Sequence, residues 1–345
     1  MPRSNDVLEL SLAARSDRDA YRRSARRRTL SLLAGLATTA AASLATGVTG
    51  LAHAQSRPVL RIGYQKYGSL TLLKARGNLE PRLAAQGIDV RWTEFPAGPQ
   101  LLEGLNVGSI DFGTVGEAPP IFAQAAGADL VYVANEPPAP LSEAIIVPAG
   151  STLRAVRELK GKKVVLNKGS NVHYLLVKAL EKAQVDYRDV TTIFLPPADA
   201  RAAFERGSVD AWVIWDPFLA AAERQLGARV LADGTGLVSN HQFFLAARAY
   251  ANKNPRALQT LIDALREADD WGRTHTAEAA QVLAKEIGLD AAIVEQAIRR
   301  TGFGVVPVSA AVLVEQQKIA DVFSDLKLIP KRIRIADATL IAVKS

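Results

Sequence analysis

The stretches GSIDFGTVGE (residues 108–117) and GSVDAWVIWD (residues 207–216) follow one pattern. Each begins with Gly-Ser, a β-branched residue and Asp, continues in a short and mostly apolar run, and ends in an acidic residue with proline close behind. Gly-Ser before an apolar run predicts a turn that leads into a buried strand. The sequence therefore predicts the same turn and strand twice, 99 residues apart.

Strands and helices alternate around both turns. PVLRIGY and DVRWTEF predict strands before the first turn, and GKKVVLN and VTTIFLP predict strands before the second, with helical apolar spacing in between. This alternation predicts a parallel α/β sheet with helices packed against it. Since 345 residues are also too many for one ordinary core, we expect two similar α/β units.

The arrangement of the two units predicts a bilobal clamshell. No linker rich in proline, glycine or serine separates them, and the apolar strands SEAIIVP and HQFFLAA stand where the chain would cross. From Asn254 onward the apolar spacing is helical. We therefore predict lobe I over 57–145 plus 243–345, with the C-terminal helices, and lobe II over 146–242. Ligands of open α/β sheets bind beyond the carboxyl ends of the strands, so both repeats should face one cleft.

Residues 1–54 predict an export signal rather than part of the fold. A basic run, YRRSARRRTL, precedes a short Ala-rich apolar stretch, and Ala52-His53-Ala54 is a small-x-small site with cleavage expected after Ala54. The paired arginines are compatible with twin-arginine export and with general secretion. A membrane anchor needs about 20 apolar residues, and this stretch is shorter. We expect the mature protein to be free in the periplasm.

Composition argues against several function classes. Without the eight arginines and four acids of residues 1–54, the net charge falls from +7 to about +3, which removes the main argument for a nucleic-acid partner. The chain has no cysteine, which excludes disulfides, thiol nucleophiles and thiolate metal sites. It also contains no HExxH, Walker or GxSxG motif. We expect a protein that is not an enzyme and has no metal site or cofactor.

The segment YQKYGSLTLL follows the first predicted strand and leads into a helix. Gln65, Gly68 and Ser69 then lie near the helix N-terminus, where unpaired N–H groups and the helix dipole favour an anion. The alternative is an ordinary turn in which Ser69 is the N-cap.

The segment NKGSNVHYLL has the same form in the second unit. Gly169 leads into Ser170 or Asn171 as the N-cap of an apolar helix, where an anion would receive neutral donors. His173 lies just inside this helix, either as a ligand contact or as a surface histidine. Two such helix starts that face each other favour the binding interpretation for both.

The first repeat ends in small and polar residues. Thr114 and Gly116 could donate hydrogen bonds to a ligand that approaches the backbone closely. Glu117 either recognises a ligand cation or stabilises the first turn of the next helix. In the proline-dense loop NEPPAPLSE that follows the next strand, Glu136 either faces the cleft or is a solvated acid.

The second repeat ends in aromatic and acidic residues. Trp212 and Trp215 lie three positions apart in a predicted strand, so they point to opposite faces and one of them belongs to the core. Trp215, nearer the cleft, is expected to cover a ligand tail. Asp216 before Pro217 predicts a helix start, with Asp216 as the N-cap and proline in the first turn.

Long runs of the sequence resemble the periplasmic aliphatic sulfonate-binding proteins of ABC importers, relatives of the taurine- and nitrate-binding proteins. The resemblance extends from about residue 60 to 340 and is strongest up to about residue 254. It implies the type II periplasmic binding fold, capture of a small organosulfonate, and delivery to an inner-membrane ABC permease, by a protein that acts as a monomer. The open alternatives are another small anion, a taurine-like ligand, a sensory role, and a desulfinase-like enzyme on the same fold, which relies on a cysteine. The matching stretches are RIGYQK, EFPAGPQLLEGLNVGSIDFG, PPIFAQAAGADLVYV, EPPAP, LKGKKV, KGS, PADARAAFERGSVDAWVIWDP and FFLAARAYANKN.

The resemblance also implies which residues contact the ligand. Three departures from the family pattern touch these positions: Tyr67 is inserted in the loop, Glu117 replaces an Asp, and a serine-rich turn before His173 is absent. The implied contacts are the loop from Gln65 to Ser69, the turn from Thr114 to Glu117, Gly169 with Ser170, and Trp215 with Asp216.

Overall fold

The computed structural model of the protein describes residues 57–340, which contain eleven strands and twelve α-helices. The export signal predicted over 1–54, with its cleavage after Ala54, lies outside the described residues. The strands are β1 Val59–Tyr64, β2 Asp89–Glu94, β3 Phe112–Gly116, β4 Leu130–Asn135, β5 Glu143–Val147, β6 Lys163–Leu166, β7 Thr191–Phe194, β8 Ala211–Trp215, β9 Arg229–Asp233, β10 Gln242–Ala247 and β11 Val306–Pro307. The helices are α1 Gly68–Arg76, α2 Leu79–Ala84, α3 Gly98–Asn106, α4 Ala118–Ala125, α5 Asn171–Lys182, α6 Pro197–Glu205, α7 Phe218–Leu226, α8 Arg248–Lys253, α9 Pro255–Thr274, α10 Thr276–Ile287, α11 Ala291–Ile298 and α12 Ala310–Asp325.

The strands form two sheets with matching order. Sheet I has the order β11-β4-β10-β3-β1-β2, and sheet II has the order β7-β6-β8-β5-β9. Read from the opposite edge, sheet II is β9-β5-β8-β6-β7, which corresponds strand by strand to β4-β10-β3-β1-β2. The two repeats therefore supply the equivalent central strands β3 and β8, which confirms the expected α/β class with two similar halves.

Both sheets are mixed rather than wholly parallel, so the prediction of a parallel sheet is correct for only part of each. β1 is parallel to β2 and β3, and β6 is parallel to β7 and β8. The crossing strands run the other way: β10 is antiparallel to β3 and β4, and β5 is antiparallel to β8 and β9. Each enters its sheet directly from the other half of the chain, without the helical crossover that a parallel connection needs.

The crossing strands are those that the sequence predicted at SEAIIVP and HQFFLAA. Sheet membership changes at Glu143, where β5 begins, and again at Gln242, where β10 begins. The lobe limits 57–145, 243–345 and 146–242 stay a prediction, because sheet membership alone does not define a lobe.

Helices cover both faces of both sheets, because successive residues along a strand point to opposite sides. In sheet I, Phe244 packs with α1 and α9, whereas its neighbour Phe243 packs with α3, α4 and α12. In sheet II, Val213 packs with α5, whereas Trp212 packs with α6 and α7. Each half thus has the buried core that holds its strand ends in place.

The C-terminal helices α10 and α11 connect the two halves. Leu283 and Ile298 pack with Leu72 of α1, on the sheet I side. Ile293 and Ala297 of α11 pack with the alanines of α7, on the sheet II side. Among residues 57–340, no helix is long and apolar enough to cross a lipid bilayer.

Candidate functional site

A cleft lies where the carboxyl ends of strands from both sheets meet. Gln65 follows β1, Gly116 ends β3 and Trp215 ends β8, and all three line it. This is the position at which open α/β sheets bind ligands. Nine of the residues predicted as ligand contacts line the cleft together: Gln65, Tyr67, Gly68, Gly116, Glu136, Ser170, Asn171, Trp215 and Asp216.

Three helices begin at the cleft. α1 begins at Gly68, α3 at Gly98 and α5 at Asn171, and these three residues are part of the lining. In each helix the N-cap residue is extended and its side chain makes no capping hydrogen bond. Since the first N–H groups of a helix have no partner within the helix, these starts offer neutral donors and a favourable dipole to an anion. The start of α3 at Gly98 was not among the predicted contacts.

Neutral polar side chains are fixed around the start of α1. The Gln65 Nε2 donates to the backbone oxygen of Thr114 at 3.0 Å, and the Tyr67 hydroxyl donates to the Gln242 Oε1 at 2.8 Å. Burial raises the pKa of Tyr67, so its phenol stays protonated. The inserted tyrosine of this loop therefore contributes a fixed hydroxyl to the cleft.

Gly116 and Asn171 meet across the cleft. A Cβ on Gly116 would lie 2.0–2.2 Å from the side-chain atoms of Asn171, a distance that no side chain tolerates. The Asn171 Oδ1 accepts a hydrogen bond from the Ala118 N–H at 3.3 Å, and its amide donates to Asn240. A larger residue at position 116 would displace the Asn171 side chain from these hydrogen bonds.

The second repeat contributes an aromatic wall, with Trp212 in the core and Trp215 half-buried at the cleft, as predicted. The helix after Trp215 begins at Phe218, with Pro217 rather than Asp216 at the N-cap position. The Asp216 Oδ1 nevertheless accepts a hydrogen bond from the Ala220 N–H at 3.0 Å, so the carboxyl caps the helix from one position further back. Its displacement from the N-cap corrects the predicted start of this helix.

The Asp216 carboxyl also faces a basic side chain from the C-terminal helices. The Arg300 guanidinium lies 3.5 Å from Asp216 and 2.7 Å from Glu223 of α7. Burial raises the pKa of Asp216 to about 7, although the charge of Arg300 opposes this shift. Asp216 therefore carries only part of a negative charge at neutral pH.

Ser69 was predicted to lie at the ligand or to be the N-cap of α1; the N-cap alternative is wrong, and Ser69 is not among the residues that line the cleft. Tyr67 is the N-cap, and the Ser69 hydroxyl is buried against Glu136 at 2.6 Å and against Asp269. Glu136 does line the cleft, so its carboxyl connects the lining to a buried cluster. Burial and the charge of Asp269 raise the pKa of Glu136 well above its usual range.

Thr114 and Glu117 are buried beside the cleft rather than in its lining. The Thr114 hydroxyl donates to the backbone oxygen of Phe243 at 3.3 Å, within sheet I. The Glu117 Oε2 accepts from the His241 N–H at 3.1 Å, and burial raises the pKa of Glu117 to about 7. Glu117 thus connects the end of β3 to the crossing strand β10.

Gly169 and His173 also lie outside the cleft lining. Gly169 lines a separate groove beside Phe122, and its N–H donates to the His173 Nδ1 at 3.3 Å. His173 is fully buried among aromatic rings, and the Tyr187 hydroxyl lies 2.7 Å from its Nε2. Burial lowers the pKa of His173 to about 4. The imidazole is neutral and supports the loop before α5, instead of lying at the surface as one alternative predicted.

Helices α10 and α11 supply an apolar wall that the sequence did not reveal. Their apolar spacing is that of any amphipathic helix, so nothing in the pattern separates a residue that faces a ligand from one that faces the core. The crossing strand β10 and the loops likewise contribute polar residues that no motif marked. The unpredicted lining residues are Gly98, Pro119, Ala139, Ser142, Pro217, Asn240, Gln242, Leu283, Ile287, Val294, Ala297, Ile298, Thr301 and Gly302.

The charge of the lining is unusual for an anion site. Among the described residues that line the cleft, Glu136 and Asp216 are acidic, and none is a lysine or an arginine. Within residues 57–340, no three side chains of His, Cys, Asp or Glu come together in a way that could hold a metal ion. An anion here would be held by neutral hydrogen-bond donors.

Comparison with known proteins agrees with this geometry. Residues 54–288 match the NMT1-like family. The solved structure of the alkanesulfonate-binding protein SsuA from Xanthomonas axonopodis pv. citri, bound to MOPS, is 46% identical, with a TM-score of 0.79 over 83% of this chain and 99% of that one. The periplasmic aliphatic sulphonate binding protein SsuA from Escherichia coli is 47% identical, with a TM-score of 0.75 over 82% of this chain and 92% of that one. The chain therefore belongs to the NMT1-like family and, within it, to the group of the aliphatic sulfonate-binding proteins.

Proposed function

We propose that the protein captures an aliphatic or aryl sulfonate in the periplasm and delivers it to an ABC permease for sulfur acquisition. The observation that carries this proposal is the composition of the cleft, in which three uncapped helix starts and fixed neutral donors face an apolar wall. The similarity to SsuA proteins supports the same conclusion. Like these relatives, the chain is a binding protein and not an enzyme.

The neutral donors suit a sulfonate group. A sulfonate carries a single negative charge at any cellular pH and offers three acceptor oxygens, which the free backbone N–H groups at the three helix starts can satisfy. A dianion such as sulfate would need more compensation, because burying charge without a partner is costly. The absence of lysine and arginine from the described lining residues thus favours a monoanion over a dianion.

The apolar wall suits an organic tail. Leu283, Val294 and Ile298 of α10 and α11 line the cleft together with Trp215, and each buried methylene of a tail gains about 0.8 kcal/mol. We propose that the nine predicted residues that line the cleft contact the ligand, and that this wall sets the accepted tail.

The remaining parts of the proposal concern the mature protein. The export signal is removed after Ala54, and the protein acts as a monomer whose two lobes, 57–145 plus 243–345 and 146–242, close on the ligand. An inner-membrane permease then receives the sulfonate. Native mass spectrometry tests both points. The mass of the mature chain tests the cleavage after Ala54, and the mass of the species in solution tests whether the protein is a monomer.

Ligand-dependent unfolding tests the substrate class. Methanesulfonate, butane-1-sulfonate and benzenesulfonate are compared with sulfate, nitrate and taurine as additives to the mature chain. A ligand at about 100 times its Kd raises the free energy of unfolding by roughly 2.7 kcal/mol, which a thermal melt resolves. We expect the sulfonates to stabilise the protein and sulfate to leave it unchanged. Stabilisation by nitrate or taurine alone would overturn the substrate class.

The alternative of a desulfinase-like enzyme finds no support in the chain. Its nucleophile would be a cysteine, and the sequence contains none. Incubation of each sulfonate and of the matching sulfinate with the purified protein, followed by assay of released sulfite, is expected to show no turnover.

A further inference from the structure

Ser69 lies between two buried carboxyl groups at the edge of the cleft. Its hydroxyl oxygen is 2.6 Å from the Glu136 Oε1 and also contacts the Asp269 Oδ1. The three side chains are 1%, 2% and 1% exposed, in the order Ser69, Glu136, Asp269. Solvent therefore does not satisfy these contacts, and their hydrogen atoms must come from the residues themselves.

The hydrogen atoms of this cluster can be counted. A serine hydroxyl carries one hydrogen, and an ionised carboxylate carries none. Ser69 can donate to one carboxyl only, so its second contact needs a hydrogen from the other carboxyl. With both acids ionised, one of the two short oxygen–oxygen contacts would contain no hydrogen. One of the two acids is therefore protonated.

The proton belongs to Glu136 rather than to Asp269. The Asp269 Oδ2 accepts hydrogen bonds from the backbone N–H groups of Gly304 and Val305, which favour its ionised form. No N–H group donates to the Glu136 carboxyl, and in the described part of the chain no lysine or arginine pairs with it. The resulting order is a Glu136 acid that donates to Ser69, which donates to an ionised Asp269.

The groups around Glu136 do not supply a positive charge. The Tyr67 phenol faces it from the loop before α1, and Asp269 faces it from α9. The imidazole of His241, at the start of the crossing strand, bonds through its Nδ1 to the backbone oxygen of Glu136 at 2.8 Å, not to its carboxyl. An ionised Glu136 would thus place an uncompensated negative charge in the lining of the cleft.

We propose that Glu136 selects the ligand by charge: it faces the sulfonate as a neutral acid whose proton is held by Ser69 and Asp269, and the cleft binds a monoanion only while that proton stays in place. This inference rests on the proposed function. An ionised Glu136 would repel a bound sulfonate, because two like charges in a cleft of low dielectric interact strongly.

The variant Glu136→Gln mimics the neutral acid in shape and hydrogen bonding. Its amide N–H donates to Ser69 as the acid does, so Ser69 still donates to Asp269. We expect the affinity of this variant for butane-1-sulfonate, measured by calorimetry, to stay level over the pH range in which the wild-type affinity falls, since the amide cannot lose a proton. A gain of about tenfold or more at pH 7 would mean that the wild-type carboxylate is ionised and would overturn the inference.

Infrared spectroscopy of the ligand-free protein tests the proton without any sulfonate. The carbonyl-stretching band of a protonated carboxyl should be present at pH 7 in the wild type and should lose intensity in Glu136→Gln. Glu143→Gln is the matched control, because Glu143 is equally buried but does not line the cleft. It should also lose band intensity, while the pH dependence of sulfonate binding stays as in the wild type. The absence of a band specific to Glu136 would overturn the inference.

The same titration connects the proton to binding. As pH rises, the wild-type affinity should fall with the midpoint at which the Glu136 band disappears, whereas the Glu136→Gln affinity should not fall there. If Glu136→Gln does not fold, proton uptake on binding to Asp216→Asn, which removes the other acid of the lining, gives the same answer in calorimetry with buffers of different ionisation enthalpy: none at pH 7. If no sulfonate binds the wild type while the band is present, the proposed function fails and the protonation of Glu136 stands.

Discussion

The two repeated turns are nearly identical where they support a sheet and different where they reach the cleft. Gly108 and Gly207 both adopt a positive φ, of 72° and 66°. Asp111 donates its N–H to β1 and accepts an N–H from it through Oδ2, and Asp210 does the same with β6. The shared residues therefore fix a turn against its sheet, and nothing in them distinguishes one ligand from another.

The difference lies in the last two residues of each repeat, which form its tip: Gly116 and Glu117 in the first repeat, Trp215 and Asp216 in the second. Gly116 and Trp215 occupy equivalent positions at the ends of β3 and β8, yet one leaves room for Asn171 and the other fills the cleft with an indole ring. Glu117 and Asp216, which follow them, are both buried acids, one bonded to the crossing strand and one to the helix that follows. One wall lets the backbone approach, and the other supplies apolar surface.

A larger residue at Gly116, in the tip of the first repeat, is expected to have the largest effect on ligand affinity. In Gly116→Ala, the new methyl group would occupy the space of the Asn171 side chain, and overpacking of this kind costs about 1–3 kcal/mol. We expect the affinity for butane-1-sulfonate to fall up to about 100-fold, as measured by calorimetry, because each 1.4 kcal/mol is tenfold.

The matched control for this variant is Gly150→Ala, since a Cβ there would meet no atom within 4 Å. It should bind as the wild type does. If Gly116→Ala also keeps its affinity, the close approach of Asn171 is not required for the closed cleft, and the two tips are less different than their sizes indicate.

The shared aspartates should differ in their contribution to stability. The Asp111 carboxylate accepts from the Arg61 N–H at 2.9 Å and also from its guanidinium at 2.8 Å, whereas Asp210 accepts from the Lys163 N–H alone, at 2.7 Å. We expect Asp111→Ala to lower the free energy of unfolding by about 2 kcal/mol and Asp210→Ala by about 1 kcal/mol. Urea unfolding measures both, and the reverse order would mean that the Arg61 guanidinium adds no stability to the first turn.

The repeated turns could be predicted from the sequence because their signal is local. Glycine, serine and aspartate at fixed spacing define a turn within a few residues, so Gly108 and Gly207 could be assigned without knowledge of the rest of the chain. The same holds for Trp215, whose position at a strand end places it at the cleft. The crossing strands were also located, although their antiparallel direction was not.

What the sequence could not reveal depends on contacts between distant residues. Ser69 has the composition of an N-cap, but Asp269, 200 positions away, determines what its hydroxyl does. His173 looks like a surface histidine in a helix pattern, yet four aromatic rings from other elements enclose it. The apolar wall of α10 and α11 is hidden for the same reason, because periodicity marks a face without naming what the face meets.

The two acids at the tips should make stability depend on pH. Burial raises the pKa of both Glu117 and Asp216 to about 7, against about 4 in an unfolded chain. The folded state therefore binds more protons between these values, and the free energy of unfolding should fall as pH rises from about 4 to about 7. Each group contributes up to about 1.4 kcal/mol per pH unit.

The free energy of unfolding, measured at a series of pH values in Glu117→Gln and Asp216→Asn, shows how much of this pH dependence comes from each acid. Each variant should flatten it, and the double variant should flatten it further. A slope as steep in Asp216→Asn as in the wild type would show that Arg300 keeps this carboxyl ionised, and the tips would then differ in charge as well as in size.

The smallest expected effect concerns the second tip and depends on the ligand. In Trp215→Leu, less apolar surface remains against a tail, whereas a sulfonate group held at the helix starts is untouched. We expect the affinity for benzenesulfonate to fall about fivefold to tenfold and that for methanesulfonate by less than about twofold, in line with the area lost. Trp92→Leu is the matched control, because Trp92 packs against Tyr64 and does not line the cleft. It should leave the ratio of the two affinities unchanged. An equal loss for both ligands in Trp215→Leu would mean that the indole supports the cleft wall as a whole rather than the tail, and the specificity would then lie with α10 and α11.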